Sequence, residues 1–497
     1  MNVWDFLAAT AQRTPTAIAL RHGDRSIDYA TARDLALGLA TRLRARGVMA
    51  GDRVGCLMHN GVEHYLACFA AAAAGAILVS LNTRLATAEL RTILSHSGAA
   101  LLLCDAAHQD GAAELCIGVL AVDLATTPTG GTPQLADADQ PAQLYYTSGT
   151  TGRPKGVVLT HRNVCTHALA AIEELGLAAT DRWAHIAPMF HLADAWATFA
   201  ITAVAGVHSF LPQFAPAAAL DLLVAERITI TNLVPTMLNL MVAEPSAATR
   251  DYALRVMLSG GAPIAPEVVR RILATFGCDY VQTYGMTETS PYLTLSLLLP
   301  ELRALPLAEQ LHWKCKTGRP FRGVELRVTD DRGAPIAADG VAVGEIRVRG
   351  ATVTPGYWQD PAATAAAFDE HGFLCTGDLA TIDAYGYVDI VDRKKDVVKT
   401  GGELVYSIEV ENVLYAHPAV LECAVFGVPD ELWGERVTAA VALRPDATAT
   451  AAELIAFCRE RIAHYKAPKA VRFLERLPRT GSGKIQKGAL RQPTRDQ

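Results

Sequence analysis

A glycine- and hydroxyl-rich segment, residues 146–156, constrains this chain more than any other part of its sequence. It reads Tyr-Thr-Ser-Gly-Thr-Thr-Gly-Arg-Pro-Lys-Gly. Glycine permits backbone dihedrals that other residues resist, so several backbone N–H groups can converge there on an anion. The residues that supply this backbone freedom, the hydroxyl donors and one positive charge are Gly149, Gly152, Gly156, Thr147, Ser148, Thr150, Thr151 and Lys155. This combination is typical of a loop that binds a triphosphate.

The residues on either side of the segment indicate its setting. Apolar runs at 144–146 and 157–159 enclose it. No Gly-Lys-Ser/Thr opens a helix, so the segment is not the P-loop of GTPases. The pattern predicts a loop between two strands, and a plain surface turn is the alternative.

Composition sets limits on the class of protein. A chain of 497 residues exceeds what one core usually supports, so two or more domains are expected. A net charge of −6 argues against nucleic acid as a main partner. The ten scattered cysteines include no Cys-x-x-Cys pair, and the N-terminus has no basic region followed by an apolar core. The apolar stretch 65–81 is short for a membrane span and is interrupted at Gly75. We expect a cytoplasmic protein without a membrane span.

The order of helical and strand patterns predicts an α/β fold. Through the first 300 residues helical patterns, such as 87–97, alternate with short apolar strands, which is typical of doubly wound parallel sheets. From about Gly318 short strands separated by Gly/Asp turns, among them 387–391, indicate an antiparallel, barrel-like region. A new helix–strand–helix unit, with its first helix at 407–415, follows Asp392. We therefore place an N-terminal domain at residues 1–391 and a C-terminal domain at 392–497.

Further motifs extend the evidence beyond the glycine-rich segment. In chain order they are Ser259-Gly260-Gly261-Ala262-Pro263, Tyr284-Gly285-Met286-Thr287-Glu288, Thr376-Gly377-Asp378, Asp392-Arg393-Lys394-Lys395-Asp396 and Gly481-Ser482-Gly483-Lys484. Together with the segment, they resemble the acyl-adenylate-forming superfamily, and within it the acyl-CoA synthetases. The resemblance implies a large N-terminal domain of doubly wound sheets with a barrel-like β region, followed by a small mobile α+β domain.

The same resemblance implies a reaction and its cofactors. A carboxylic acid attacks the α-phosphorus of ATP to give acyl-AMP and pyrophosphate, and the thiol of CoA then displaces AMP. Charge develops on phosphate oxygens, so electrostatic positioning and Mg²⁺ are expected to do most of the work. The partners are therefore small molecules: the acid, ATP and CoA.

Each ATP-binding role is assigned by resemblance. The loop residues Thr147 to Gly152, with Lys155, would hold the β- and γ-phosphates. Glu288 is similar to the family's magnesium ligand, and a carboxylate oxygen suits that hard cation. The residues that would enclose adenine and hold the ribose hydroxyls are Gly261, Ala262, Pro263, Tyr284, Gly285, Thr287, Asp378 and Arg393.

The C-terminal domain would carry residues that enter and leave the active site during the reaction. Lys484 matches the lysine that contacts the carboxylate and the α-phosphate in the family. A point charge on a flexible stem suits that task. The resemblance makes Asp392 the hinge of a domain rotation that exchanges Lys484 for the loop Gly401-Gly402-Glu403, which shapes the channel for the CoA thiol.

The acyl group would lie near His191, which matches a position beside the substrate carboxylate. The other pocket residues are Asp194, Trp196, Gly260 and Gly285. Glycine is common in the family where Asp194 stands, and two roles for Asp194 remain open: orienting His191 or capping a helix. The apolar segment 197–210 supplies no cation for a second carboxylate. We therefore expect an apolar monocarboxylic acid, fatty or aromatic.

One departure from the family leaves alternatives open. Leu404 stands where an amide side chain is usual, which affects the second half-reaction. A freestanding adenylation enzyme that loads a carrier-protein phosphopantetheine is one alternative. A non-catalytic nucleotide or acyl sensor is another, although such a protein should have lost Lys484, Glu288 or Asp378. The size is compatible with a homodimer.

Overall fold

The computed structural model describes residues 1–148, 154–262, 264–479 and 485–491. The chain divides into two compact units. Unit 1 comprises Met1–Leu326 and Val348–Leu374, and unit 2 comprises Arg327–Arg347 and Cys375–Gln497. The functional boundary that we place at Asp392 stays a prediction, since this division rests on compactness alone.

The helices are distributed over both units. In chain order they are α1 (Val3–Arg13), α2 (Tyr29–Ala45), α3 (Val62–Ala73), α4 (Thr87–Ser97), α5 (Gln109–Ala113), α6 (His161–Leu175), α7 (Leu192–Ala203), α8 (Pro216–Ala225), α9 (Pro235–Ala243), α10 (Pro266–Phe276), α11 (Pro300–Arg303), α12 (Leu307–Lys314), α13 (Pro361–Ala367), α14 (Ser407–Tyr415), α15 (Ala451–Arg459) and α16 (Lys487–Arg491). Short 3₁₀ helices lie at Ala106–His108, Ala247–Thr249 and Thr287–Thr289.

The strands form four sheets. In chain order they are β1 (Ile18–His22), β2 (Arg25–Asp28), β3 (Arg53–Leu57), β4 (Ile77–Ser80), β5 (Ala99–Cys104), β6 (Val119–Ala121), β7 (Pro141–Ser148), β8 (Pro154–Thr160), β9 (Arg182–His185), β10 (Val207–Phe210), β11 (Ile230–Leu233), β12 (Val256–Gly260), β13 (Asp279–Gly285), β14 (Tyr292–Leu295), β15 (Arg319–Pro320), β16 (Val324–Thr329), β17 (Gly344–Gly350), β18 (Leu374–Ile382), β19 (Val388–Arg393), β20 (Val398–Thr400), β21 (Glu403–Val405), β22 (Val420–Asp430), β23 (Gly434–Leu443) and β24 (Ala470–Phe473).

Unit 1 contains two large sheets. One has the order β6-β5-β3-β4-β7-β8, parallel except for its last pair. The other has the order β15-β14-β13-β12-β11-β9-β10-β1-β2, with a parallel centre from β13 to β1. The carboxyl ends of neighbouring parallel strands meet at one edge of a sheet, which is where such folds bind ligands.

Helix α3 explains the apolar stretch near residue 65. It contacts β3 and β4 of the six-stranded sheet and β1 of the nine-stranded sheet. Eleven of its residues are buried, as expected of a helix that is apolar on all sides. The stretch is thus a central core helix followed by buried strand β4. Across the part of the chain that the structure describes, no helix is long and apolar enough to span a membrane.

Two smaller sheets complete the fold. Strands β16 to β19 form a four-stranded sheet in chain order, in which β18 and β19 are antiparallel. In unit 2 the sheet β21-β20-β23-β22, with β24 beside β23, packs with α14 and α15 around an apolar core. The mixed α/β fold with a large N-terminal and a small C-terminal part confirms the fold predicted from the sequence.

Candidate active site

The glycine-rich segment connects two antiparallel strands, as predicted. Thr147 of β7 lies directly opposite Lys155 of β8, and Tyr146 lies opposite Gly156. This pairing fixes both ends of the loop, so Thr147 and Lys155 are neighbours at its base. Gly149, Thr150, Thr151 and Gly152 fall outside the described residues, and for Ser148 only the backbone is described.

A tyrosine joins Lys155 to Glu288. The Lys155 ammonium lies 4.9 Å from the centre of the Tyr357 ring, within range of a cation–π interaction. The Tyr357 hydroxyl donates a 2.9 Å hydrogen bond to Glu288 Oε1. Glu288 is only 7% exposed, and burial raises the pKa of the Tyr357 hydroxyl, with the Glu288 charge as the next cause. Lys155, predicted to bind phosphate, and Glu288, predicted to bind magnesium, therefore contact the same tyrosine.

Backbone pairing holds Tyr357 in this position. Trp358 N donates to Gly156 O at 2.7 Å, and Thr354 N donates to Glu288 O at 2.8 Å. Tyr357 itself forms a β-bridge with Val157. The segment 354–358 thus links β8 to the 3₁₀ helix Thr287–Thr289, which contains Thr287 and Glu288.

The adenine-binding residues predicted from the sequence lie at the ends of two adjacent parallel strands. Gly260 closes β12 opposite Thr283 of β13, and a Cβ at Gly260 would lie 2.3 Å from Thr283 Oγ1. Only glycine permits this approach. Gly261, at φ +85°, and Ala262 follow Gly260, and Tyr284 follows Thr283 on the paired strand. Pro263 is outside the described residues.

Gly285 is a second position that requires glycine. A Cβ there would lie 1.8 Å from Pro291 O, because the chain turns back and Met286 N donates to Pro291 O at 3.1 Å. The 3₁₀ helix that contains Glu288 lies within this turn, between Met286 and Pro291.

His191 stands at the N-cap of α7 and is half-buried. Asn60, at the end of the neighbouring sheet, holds the segment that leads to it. The Asn60 amide donates to His185 O at 3.0 Å and to Ala187 O at 2.9 Å, and its oxygen accepts from Met189 N at 2.8 Å. Three hydrogen bonds from one buried side chain therefore fix the approach to His191.

Asp194 is completely buried, and its carboxylate bonds to other buried side chains of the core. It accepts from Trp183 Nε1 at 3.2 Å and lies 2.5 Å from His185 Nδ1. His185 Nε2 in turn lies 3.0 Å from His208 Nδ1. Burial raises the pKa of the Asp194 carboxyl. Helix α7 has no side-chain cap hydrogen bond, so capping is not the role of Asp194.

Trp196 is also a core residue in this structure, with 1% exposure. Its ring lies 5.2 Å from both Trp183 and Tyr292, and its Nε1 donates to Ala193 O at 3.1 Å. The sequence indicates that Trp196 lines the acyl pocket. The structure places it on α7, one turn beyond His191, within an aromatic cluster.

The two predicted ribose ligands lie in unit 2 and face each other. Asp378 of β18 pairs with Arg393 of β19, and Arg393 Nε lies 3.3 Å from Asp378 Oδ1. Gly377, at φ +72°, precedes the aspartate. This ion pair orients the carboxylate in a part of the sheet where the Arg393 side chain remains half-exposed.

Asp392, the predicted hinge residue, is 1% exposed and bonded to the start of α14. Its carboxylate accepts from Ser407 N and from Ser407 Oγ, the latter at 3.0 Å. Lys487 Nζ lies 2.5 Å from the same hydroxyl and 2.7 Å from Glu411 Oε1. Lys484 itself lies outside the described residues, but this network anchors the helix that follows it.

The Gly401-Gly402 pair forms a two-residue turn between β20 and β21. Both residues have positive φ, +60° and +86°, which suits the turn types that close a two-residue hairpin. Glu403 follows in β21, opposite Thr400. Leu404 is 48% exposed, so its side chain contributes little to the core of unit 2.

Two residues of this site were missed in the sequence. Tyr357 follows Pro355 and Gly356, and the aromatic pair after a Pro-Gly turn was the available signal. For Asn60 the available signal was a polar pair, His59 and Asn60, shortly after the buried strand β3. Neither contact could be inferred, because their partners lie 69 and more than 120 residues away.

Comparison with protein families decides the affiliation. The model of the AMP-binding enzyme family matches residues 7–358, and that of the AMP-binding enzyme C-terminal domain matches residues 409–484. The chain belongs to the AMP-binding enzyme family.

Several proteins match this AMP-binding enzyme over nearly its whole length. Feruloyl-CoA synthase from Amycolatopsis is 39% identical, with 97% of this chain and 96% of that protein covered. The long-chain-fatty-acid–CoA ligase of Thermus thermophilus is 35% identical, with 99% and 95% covered. The o-succinylbenzoate CoA synthetase of Bacillus subtilis, solved with its acyl-adenylate intermediate, superimposes with a TM-score of 0.89 at 32% identity and covers 99% of this chain and 98% of its own.

These likenesses establish the reaction class. The chain is an AMP-forming acid–thiol ligase that acts through an acyl-adenylate. The B. subtilis synthetase has also been solved with ATP and a magnesium ion, at a TM-score of 0.88 and 31% identity over 98% of this chain and 99% of its own. The buried Glu288 carboxylate beside Lys155 fits that pair of ligands, since magnesium prefers carboxylate oxygen and shares phosphate oxygens.

Proposed function

We propose that this enzyme activates an apolar monocarboxylic acid, fatty or aromatic, as acyl-AMP and transfers the acyl group to CoA. Pyrophosphate leaves in the first step and AMP leaves in the second. The proposal adds the type of acid and the acceptor to the established reaction class.

The distribution of charge after His191 carries the choice of acid. Helix α7 and strands β10, β11 and β12 contain no lysine or arginine. The only carboxylate among them, Asp194, is bonded to Trp183 and His185. Burial, the largest cause, lowers the pKa of His208 well below its usual value, so His208 is neutral near pH 7. The second carboxylate of a dicarboxylic acid would be left unpaired among these elements, at a high cost in free energy.

The roles proposed for the nucleotide-binding residues are those that the family resemblance implies, and they agree with the chemistry of these side chains. Lys155, with Thr147 beside it, would bind phosphate oxygens, and Glu288 would hold magnesium. Magnesium would neutralise charge on the phosphates. Asp378 would accept the ribose hydroxyls, and Lys484 would contact the acid and the α-phosphate. His191, fixed by the Asn60 hydrogen bonds, would lie beside the carboxylate of the acid.

Three of the named relatives support the two kinds of acid. Besides the feruloyl-CoA synthase and the long-chain-fatty-acid ligase, an indoleacetate–CoA ligase from Aromatoleum aromaticum is 34% identical over 99% of this chain and 98% of its own length. These three names describe monocarboxylic acids, fatty or aromatic, whereas the o-succinylbenzoate CoA synthetase is named for a dicarboxylic acid. The choice of a monocarboxylic acid therefore depends on the missing cation.

Pyrophosphate release across a panel of acids tests the proposal. The panel runs from acetate through long-chain fatty acids to benzoate and cinnamates, with succinate and malonate as dicarboxylate controls, each with and without CoA. We expect CoA-dependent turnover and accumulation of an acyl-CoA with one apolar class. Preference for a dicarboxylate would contradict the choice of acid, and no turnover with any acid would favour a sensor.

The exposed Leu404 favours a second candidate acceptor. An apolar side chain directly after the loop Gly401-Gly402-Glu403 replaces the amide that is usual in the family. We propose as the alternative that the phosphopantetheine of a carrier protein reacts there in place of CoA. Pyrophosphate release that is indifferent to CoA, together with acylation of a phosphopantetheinylated carrier protein, would support that candidate.

A further inference from the structure

A pair of histidines and an aspartate, none of which is assigned to ATP, meet at the edge of the six-stranded sheet. His59 lies just after β3, Asp105 directly follows β5, and His108 ends the short 3₁₀ helix after Asp105. Their potential ligand atoms all lie within 4.8 Å of one another. The three side chains are each about one-sixth to one-quarter exposed, so the group is accessible but largely covered.

The strand order places these three residues where the connections that follow two adjacent parallel strands run in opposite directions. Strand β3 is flanked by β4 on one side and β5 on the other. The chain leaves β3 toward β4 and leaves β5 toward β6, in the opposite direction. The loops after β3 and β5 therefore diverge and open a crevice at the carboxyl ends, which is where open α/β sheets bind ligands.

The distances suit a borderline divalent cation. His108 Nδ1 lies 2.5 Å from Asp105 Oδ1, and His59 Nδ1 lies 3.8 Å from Asp105 Oδ2. The two imidazole rings have centres 4.4 Å apart. Ligands of a tetrahedral zinc ion at about 2.0–2.2 Å lie about 3.4 Å from each other, so small side-chain rotations are sufficient. Two imidazoles and a carboxylate form a donor set that zinc accepts with a fourth position open.

Neighbouring groups contact the candidate ligands. The Gln213 amide nitrogen lies 3.1 Å from His59 Nε2, the nitrogen that faces away from Asp105. A metal ion on Nδ1 leaves the proton of the ring on Nε2, and a flip of the Gln213 amide would present its oxygen to accept that N–H. The Asp105 carboxylate accepts from His59 N at 2.8 Å and from His108 N at 3.1 Å. Capping of the 3₁₀ helix explains the contacts of Asp105 with His108, but not the orientation of the His59 ring toward the same carboxylate.

We propose that His59, Asp105 and His108 form a binding site for a divalent transition-metal ion, with Zn²⁺ as its preferred occupant. His59 directly precedes Asn60, which holds the segment leading to His191. A metal ion that ties the end of β3 to that of β5 would therefore stiffen the support of the acyl-binding region.

Metal titration of the full chain tests this site. Protein stripped with EDTA is titrated with Zn²⁺ alone by calorimetry, and Co²⁺ is used as a spectroscopic probe. We expect one high-affinity equivalent, a tetrahedral cobalt spectrum without thiolate charge transfer, and a raised melting temperature. The variants His59→Gln and His108→Gln should weaken binding by at least about 100-fold, and Gln213→Ala by about 10-fold.

His371→Gln is the matched control, because His371 is exposed and lies far from this crevice in sequence. It should bind Zn²⁺ like the original chain. Equal affinity in all variants, a thiolate band with Co²⁺, or no binding would each overturn the proposal. If circular dichroism shows that a histidine variant is unfolded in EDTA, the affinity of Gln213→Ala for Zn²⁺ decides whether the proposal holds.

Discussion

The Tyr357 hydroxyl donates a 2.9 Å hydrogen bond to Glu288 Oε1, and this contact connects the two charged residues of the candidate phosphate site. The same tyrosine ring also contacts Lys155, whose ammonium lies 4.9 Å from the ring centre. If Glu288 binds magnesium and Lys155 binds phosphate as we propose, Tyr357 is a positioning residue that orients both side chains without touching either ligand.

The variant Tyr357→Phe should separate this role from packing. It keeps the ring beside Lys155 and removes the donor to Glu288. Since a hydrogen bond to a charged group contributes about 1.5–3 kcal/mol, we expect the KM for Mg-ATP to rise by about 10-fold or more. Steady-state pyrophosphate release over a matrix of Mg²⁺ and ATP concentrations measures this effect.

Tyr465→Phe is the control for the loss of a tyrosine hydroxyl, since Tyr465 lies in unit 2 and is 40% exposed. Its kinetics should match those of the unchanged enzyme. An unchanged KM for Mg-ATP in Tyr357→Phe, at an unchanged melting temperature, would show that the contact with Glu288 has no part in nucleotide binding.

Lys484→Ala should affect one half-reaction only. By its resemblance to the family's lysine, Lys484 stabilises charge as the acid attacks ATP, and losing such a group costs on the order of 10²–10³ in rate. Adenylation, followed by pyrophosphate exchange, should fall by that factor. The conversion of chemically prepared acyl-AMP and CoA to acyl-CoA should continue, and Lys469→Ala should leave both steps unchanged. A parallel loss of both steps would contradict this separation.

Local patterns in the sequence were sufficient for many elements. Helix 87–97 was predicted with the observed bounds, because Gly98 at φ +62° ends it. Helix 407–415 was also predicted as observed. The strand predicted at 387–391 runs instead from Val388 to Arg393. Its extension follows from pairing with β18, including Arg393 opposite Asp378, and cross-strand pairing is not a local property.

The candidate site likewise contains some features that local sequence patterns predict and others that depend on tertiary packing. The hairpin around the glycine-rich loop was predictable from the apolar runs that flank it, as the register of Thr147 with Lys155 confirms. The burial of Asp194 against Trp183 and His185 was not, because a carboxylate after a histidine gives no indication of which strand it will face. Such contacts depend on how the helix packs on the sheet.

Leu404→Asn should change the thiol step. An amide is usual at this position in the family, and Leu404 is half-exposed, so the substitution should alter stability by less than about 0.5 kcal/mol. We expect faster conversion of acyl-AMP to acyl-CoA and an unchanged adenylation rate, measured by single-turnover kinetics with CoA. Leu432→Asn, at a more exposed leucine, is the control. A slower CoA step would instead indicate that Leu404 serves an apolar acceptor.

His167 gives the clearest prediction for pH. It is 1% exposed, its ring stacks 5.0 Å from that of Phe321, and its Nε2 accepts from Tyr292 N at 3.3 Å. Burial lowers its pKa from 6.5 to about 3. The folded protein therefore keeps His167 neutral where the unfolded chain binds a proton. Its stabilising contribution is complete above pH 6.5 and is lost as the pH falls from 6.5 toward 3.

Between pH 7 and pH 5 this residue alone should reduce the free energy of unfolding by about 2 kcal/mol. His167→Gln retains an acceptor for Tyr292 N but cannot titrate, so it should be less stable at pH 7 and lose about 2 kcal/mol less on acidification. Urea unfolding at both pH values measures the difference. It is followed by tryptophan fluorescence, to which Trp196 contributes, whose ring centre is 5.6 Å from that of His167. His371→Gln should lose as much stability as the unchanged protein, and an equal loss in His167→Gln would show that His167 does not control the acid sensitivity of this core.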